Sequence, residues 1–123
     1  MFAMSDLGYK YDALEPYIDA KTMEIHHDKH HGTYVDKLNA ALEKYPDLQN
    51  KKIEELLSGI KDVPENIRQA VINNGGGHWN HSFFWPLLKI NNGAVAEGTL
   101  AEAINAEFGN FEKFKEEFTS AGL

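Results

Sequence analysis

All six histidines of the chain fall in two short runs: His26, His27, His30 and His31, then His78 and His81. Imidazole is the commonest protein metal ligand, and it carries protons near neutral pH. On a helix turning about 100° per residue, His26, His30 and Tyr34 share one narrow arc. His27 and His31 form a second pair about 100° further round. Asp28 falls away from both pairs, and Lys29 flanks the His26 side. His78 and His81, three apart, share a side of another helix. Histidines at i,i+3 or i,i+4 on facing helices are a recurrent way to build a metal site in a bundle. Spacing alone does not choose between the 26/30 and 27/31 pairs, or between His78 and His81. One histidine pair is by default a solvated face or a hydrogen-bonded core pair. Two clusters on neighbouring helices, with no histidine elsewhere, favour the metal.

Other chemistries find less support. Cysteine is absent, which removes disulfides, thiolate nucleophiles and cysteine metal sites. Gly75-Gly76-Gly77 has no preceding strand and no following Lys-Ser/Thr, so it is not a phosphate loop. Ser82 has His78 and His81 nearby but no close carboxylate, and a hydrolase triad is unsupported. The aromatic set Trp79, Phe83, Phe84 and Trp85 reads as core packing, which also dries a nearby site and strengthens its electrostatics.

The elements that must position these residues read as helices throughout. Asp6 to Tyr17 is a mixed arm that packs through Tyr9, Tyr11 and Leu14. Asp19 caps a helix starting near Ala20. No proline interrupts it before Tyr45, and Met23, Tyr34, Leu38, Ala41 and Leu42 recur at helical spacing. Pro46 and Asp47 end it. Lys51 to Ile60 is a short amphipathic helix. Pro64 opens the next, where its missing N–H costs nothing. That helix should run on through the glycines into Trp79, Phe83, Phe84 and Leu87. Each glycine costs about 1 kcal/mol relative to alanine, so the triplet implies a face that another element approaches closely. Asn91 to Gly98 is a polar linker, and Thr99 to Phe108 and Asn110 to Ser120 are two further amphipathic helices. No segment alternates as a strand. The expected fold is all-α: a long antiparallel hairpin over 1–90, then a linker and two helices over 91–123.

Composition agrees. Of 123 residues, 42% are hydrophobic, enough for a modest core, and the net charge is −7. That charge argues against nucleic acid as partner. No apolar run is long enough to span a membrane, and no secretory signal is visible, so a cytoplasmic location is expected.

The stretch Ala13 to Tyr34, ALEPYIDAKTMEIHHDKHHGTY, resembles the first signature of the manganese/iron superoxide dismutases. Asn73 to Trp85, NNGGGHWNHSFFW, resembles the second. Glu107 to Phe118, EFGNFEKFKEEF, is similar to the family's first helices after the hairpin. The resemblance covers essentially the whole chain. It implies that His26 and His81 are metal ligands and that His27, His31 and His78 are not. It places His30 near the substrate entrance and Tyr34 beside metal-bound solvent as proton donors. The implied reaction converts superoxide to dioxygen and hydrogen peroxide through a metal that cycles between oxidation states. Zinc lacks that redox chemistry, whereas manganese and iron have it and suit N/O ligands. Gly75-Gly76-Gly77, the Asn80-His81-Ser82 triplet and Met23 look manganese-type. Trp79 is frequent in iron-type sequences, where a glutamine usually replaces Gly77. Manganese is favoured, with iron the alternative. The negative net charge should repel superoxide, and Lys29 and the histidines offset this locally.

The family's chains continue past the length seen here into an α/β domain with a sheet. That domain carries an aspartate and a histidine ligand in a D-x-W-E-H motif, which this sequence lacks. Helices 99–120 therefore resemble the opening of that domain without its sheet. The expectation is a dismutase site completed by a C-terminal polypeptide, in a homodimer or tetramer. The alternative is a non-catalytic helical module that self-associates. In either case Phe84, Trp85, Phe108 and Phe114 are expected to lack part of their cover.

Overall fold

A computed structural model describes residues 1–91 and 93–123. Asn92, in the linker read from the sequence, lies outside the described residues. Every element among the described residues is helical. The backbone divides into two units, 1–90 and 91–123.

The first unit is a hairpin. Its first arm is a continuous helical run in three windings: α1 (Ala20–Glu24), a π-helical stretch (Ile25–His31) and α2 (Gly32–Leu42). Asp19 caps it as expected: its carboxylate accepts the Thr22 N–H at 2.9 Å. The histidine run is thus wound more loosely than an α-helix, which the apolar spacing did not reveal. Short helices α3 (Pro46–Gln49) and α4 (Ile53–Ser58) and a 3₁₀ turn (Ile60–Asp62) lead to α5 (Glu65–Phe84). Pro64 immediately precedes α5, which runs unbroken through the glycines. A 3₁₀ turn, Trp85–Leu87, closes it.

α2 packs along α5. Residues 26, 31 and 45 meet 81, 78 and 66 through side-chain hydrogen bonds. Partner numbers fall as chain numbers rise, so the two arms are antiparallel. The glycines make this close approach possible, and they do so unequally. A Cβ on Gly75 would meet Leu57 and Ile53 of α4 at 3.2 and 3.4 Å, and Leu38 of α2 at 3.6 Å. A Cβ on Gly77 would lie 2.5–2.7 Å from the Tyr34 ring. One on Gly76 would meet nothing.

Two apolar clusters hold the hairpin. Leu38, Leu42, Leu56, Val63 and Val71 form the larger. Leu14, Met23 and Trp85 form the smaller, flanked by Tyr9 and Tyr11 of the N-terminal arm. Within that arm Tyr11–Leu14 winds into a 3₁₀ turn. Asn39 ties it further along: its side chain accepts the Phe2 N–H and donates to the Phe2 carbonyl, both at 2.9 Å. The aromatic set of α5 is not all core. Trp85 is buried, whereas Phe84 and Phe83 remain 39% and 57% exposed. The expectation that Trp85 lacks cover fails because Leu14 and Met23 supply it.

The second unit holds α6 (Gly98–Phe108) and α7 (Phe111–Gly122). Gly109, at φ +86°, makes the break between them in a conformation other residues rarely adopt. Asn110 then caps α7 by accepting the Lys113 N–H at 2.9 Å. Phe108, Phe111, Phe114 and Phe118 pack ring against ring, with centroids 5.2–5.9 Å apart.

Leu38 is fully buried where α2, α4 and α5 meet. Leu38→Ala should cost about 2–5 kcal/mol of stability by urea denaturation, as is usual for a buried leucine truncated to alanine. The exposed neighbour Asp36→Ala should cost less than about 0.5 kcal/mol.

Candidate metal centre

The antiparallel register carries the two histidine runs to the same level. His26 Nε2 lies 3.0 Å from His81 Nε2. One nitrogen from each of His26, His30 and His81 lies within 4.8 Å of the others, a group able to hold a metal ion. His30 is exposed, while His26 and His81 are half-buried. Tyr34 stands one turn on, its ring edge-on to His30 at 5.0 Å and tilted against His81 at 5.4 Å. All four candidate residues, His26, His30, Tyr34 and His81, therefore line one locus. Open hollows of about 290 and 420 Å³ flank His26, one lined by Asn80, His81 and Phe84, the other by Thr22, Ile25 and His30.

Hydrogen bonds decide what the His81 ring offers. Its Nδ1 lies 2.7 Å from the Gly77 carbonyl. A carbonyl only accepts, so Nδ1 carries the proton and neutral His81 presents a bare lone pair at Nε2. Metal-bound histidines almost always donate their other N–H in this way. Burial, then the neighbouring His81 and His30, lowers the His26 pKa. Neutral imidazole is the form that binds metal. Two half-buried rings, each with Nε2 directed at the other, suit a cation between them.

His31 and His78 are buried together on the other side of the run. The Trp85 indole N–H donates to His31 Nδ1 at 3.1 Å. Neutral His31 must then carry its proton on Nε2, which donates to His78 Nδ1 at 2.8 Å. Both His31 nitrogens and the His78 Nδ1 are engaged without a metal. Burial, followed by the charges of His78 and His81, pushes the His31 pKa down to about 4. His78 is lowered by burial and by His81. His27 packs outward against the arm: Nδ1 lies 2.8 Å from Asp28 Oδ1 and Nε2 3.1 Å from the Ser5 carbonyl. The Tyr11 hydroxyl donates to the same Asp28 oxygen at 2.8 Å. Asp28, set aside on α-helical spacing, thus orients His27. Trp85, the Gly77 carbonyl and the Asp28–Tyr11 pair were the working residues that spacing did not single out. Gly77 lies four before His81, and that i−4 offset was the one available signal.

Comparison with known proteins bears on this locus. The family description "Iron/manganese superoxide dismutases, alpha-hairpin domain" matches residues 1–89. A protein named superoxide dismutase [Mn] from Thermus thermophilus is 55% identical over 122 residues. Another of that name from Thermus aquaticus is 54% identical over 122 residues. In both cases 99% of this chain is covered, and it spans 60% of the relative's length.

The glycine contrast is testable. Gly76→Ala should stabilise the chain by up to about 1 kcal/mol, since alanine is the better helix former and nothing obstructs it. Gly77→Ala should destabilise despite the same gain, because overpacking costs about 1–3 kcal/mol, and it should shift the Tyr34 ring resonances. Equal effects in urea denaturation would mean that Tyr34 does not rest on Gly77.

The buried histidines also predict a pH dependence. Unfolded His31 takes up a proton near its ordinary value of 6.5, whereas folded His31 does so only near 4. Between those values the unfolded state binds more protons, so stability rises with pH and is lost as pH falls through that window. His26 and His78 act in the same direction. Thermal unfolding of the metal-free chain should show a falling midpoint from pH 6.5 to 4, with a shallower slope in His31→Phe. A midpoint independent of pH across that window contradicts this.

Proposed function

The chain belongs to the iron/manganese superoxide dismutase family, and from that premise we propose that it contributes His26 and His81 as ligands to the redox metal of a superoxide dismutase. The observation that carries this reading is the 3.0 Å approach of the two Nε2 atoms, with the His81 lone pair freed by the Gly77 carbonyl. Manganese is the metal favoured, because both Thermus relatives bear the name superoxide dismutase [Mn]; iron is the alternative. When bound, such an ion supplies one-electron redox chemistry, by which two superoxide anions and two protons yield dioxygen and hydrogen peroxide.

The chain's own residues hold the site and handle protons. His26 and His81 anchor the ion from opposite arms of the hairpin. Tyr34 and His30, edge to face with ring centres 5.0 Å apart, carry protons to the forming peroxide from the exposed His30 side. Buried Trp85 packs beside His26 at 4.8 Å between ring centres and keeps water from that flank, while exposed Phe84, at 6.0 Å, borders the open hollow. Lys29 adds positive charge beside the run and draws in an anionic substrate. Two imidazoles do not fill the coordination of either metal. The remaining ligands come from a C-terminal polypeptide, and the working unit is a homodimer or tetramer.

The test is metal content in an active preparation. His26→Ala and His81→Ala should reduce manganese to background. His27→Ala should retain it, because both His27 nitrogens are engaged by Asp28 and Ser5. Tyr34→Phe should retain metal and slow turnover most at high superoxide concentration and high pH, where proton supply limits the rate. Loss of metal in His27→Ala but not in His26→Ala would overturn the ligand assignment.

A further inference from the structure

We propose that His31 is a positioning residue for His81, serving as the flat wall that fixes the orientation of the His81 ring. The inference rests on the proposed ligand role of His81 and concerns how that ring is kept in place.

His81 needs such a wall. Its polar restraints are the Nδ1–H bond to Gly77 and the 3.0 Å contact of Nε2 with His26 Nε2. Both act at the ring's edge and leave it free to tilt about the line that joins them. The other rings around His81 meet it at larger angles: His26 at 90°, His30 at 58°, Trp85 at 50° and Tyr34 at 41°, with centroids 5.0–5.9 Å away. His31 alone stacks nearly parallel to it, at 20° and 5.2 Å. A parallel face blocks tilting, whereas an edge does not.

A wall works only if it is itself held. His31 is 1% exposed, and both of its nitrogens are engaged from different elements. The Trp85 indole N–H donates to Nδ1, and Nε2–H donates to His78 Nδ1. The indole can only donate, so it selects the His31 tautomer, and that choice selects the direction of the His31–His78 bond. His78 meets His31 edge to edge through that bond, with centroids 5.1 Å apart and the two ring planes only 28° from each other. His31 therefore has one allowed ring plane and one allowed protonation pattern. This also explains why a buried histidine that binds nothing stands four residues beyond His27, where a leucine would pack as well. Leucine would present no flat face and would leave the Trp85 N–H unpaired, at a cost typical of a buried unsatisfied donor.

The test uses the metal-free 123-residue chain labelled with ¹⁵N-histidine, read by long-range ¹H–¹⁵N correlation. The unsubstituted chain should show His81 in a single tautomer with Nδ1 protonated, and His31 in a single tautomer with Nε2 protonated. Trp85→Phe keeps an aromatic ring and removes the donor. It should give mixed His31 tautomers and loss of the single His81 pattern. His31→Ala should also lose the His81 pattern, and His31→Phe, which restores a flat ring without the bonds that hold it, should recover it only in part. A merely structural role would lower the melting temperature in these variants while leaving His81 unchanged. If His31→Ala does not fold, Trp85→Phe decides alone. A single Nδ1-protonated His81 pattern in Trp85→Phe overturns the proposal. The readout needs no metal, so its failure is separate from failure of the ligand assignment, which metal content decides.

Discussion

Buried imidazole nitrogens must find partners, and His31 and His78 find each other across the helix pair. His31 between Trp85 and His78 is the clearest case. Its three-part chain crosses from the π-wound run to α5, and each link has one workable donor and one acceptor. An unpaired buried polar group costs about 1–3 kcal/mol. Sliding the arms by one residue would forfeit both bonds and turn His31 from His78. The same slip would drive the Tyr34 ring off the glycine that accommodates it. The apolar cluster of Leu38, Leu42, Leu56, Val63 and Val71 supplies the adhesion, but apolar burial is non-directional. The polar pairs and the glycine gaps supply the register. Once the register is set, His26 and His81 face each other.

Much of this was legible in the residues. The two histidine runs, the helical periodicity, the Asp19 cap and the Pro64 start each rest on local chemistry, and the structure agrees with them. The glycine triplet announced a close approach, because no other reason makes a helix accept that loss of propensity. Which glycine faced which neighbour was not legible, since it depends on the rotation of α5 relative to α2 and α4. The π-winding of Ile25–His31 left no mark in the apolar spacing, because the run is almost entirely polar. Asp28 was set aside on α-helical angles, and the looser winding places it on His27. The choice between His78 and His81 came from family resemblance and not from spacing. In the structure, hydrogen bonds separate them: the His78 ring nitrogen faces His31, whereas His81 keeps a lone pair free toward His26.

Exposure of the aromatic residues divides along the same lines. Trp85 is covered by residues of the arm and α1 that lie far away in sequence. Phe83 and Phe84 have no such cover among the described residues. They lie on the helix that bears His81, and Phe84 borders the hollow beside His26. Phe84 thus forms an apolar rim beside the facing nitrogens of His26 and His81. Among the described residues no helix is long and apolar enough to cross a membrane.

The central claim is that the hairpin presents His26 and His81 together to one metal ion. Pulsed electron paramagnetic resonance of the Mn²⁺-loaded protein, with ¹⁵N-labelled histidine, reads bound imidazole nitrogens directly. The account predicts couplings from directly bound nitrogens that lose one contribution in His26→Ala and one in His81→Ala, and that are unchanged in His27→Ala. Manganese bound with no histidine coupling, or with couplings indifferent to both substitutions, would contradict it.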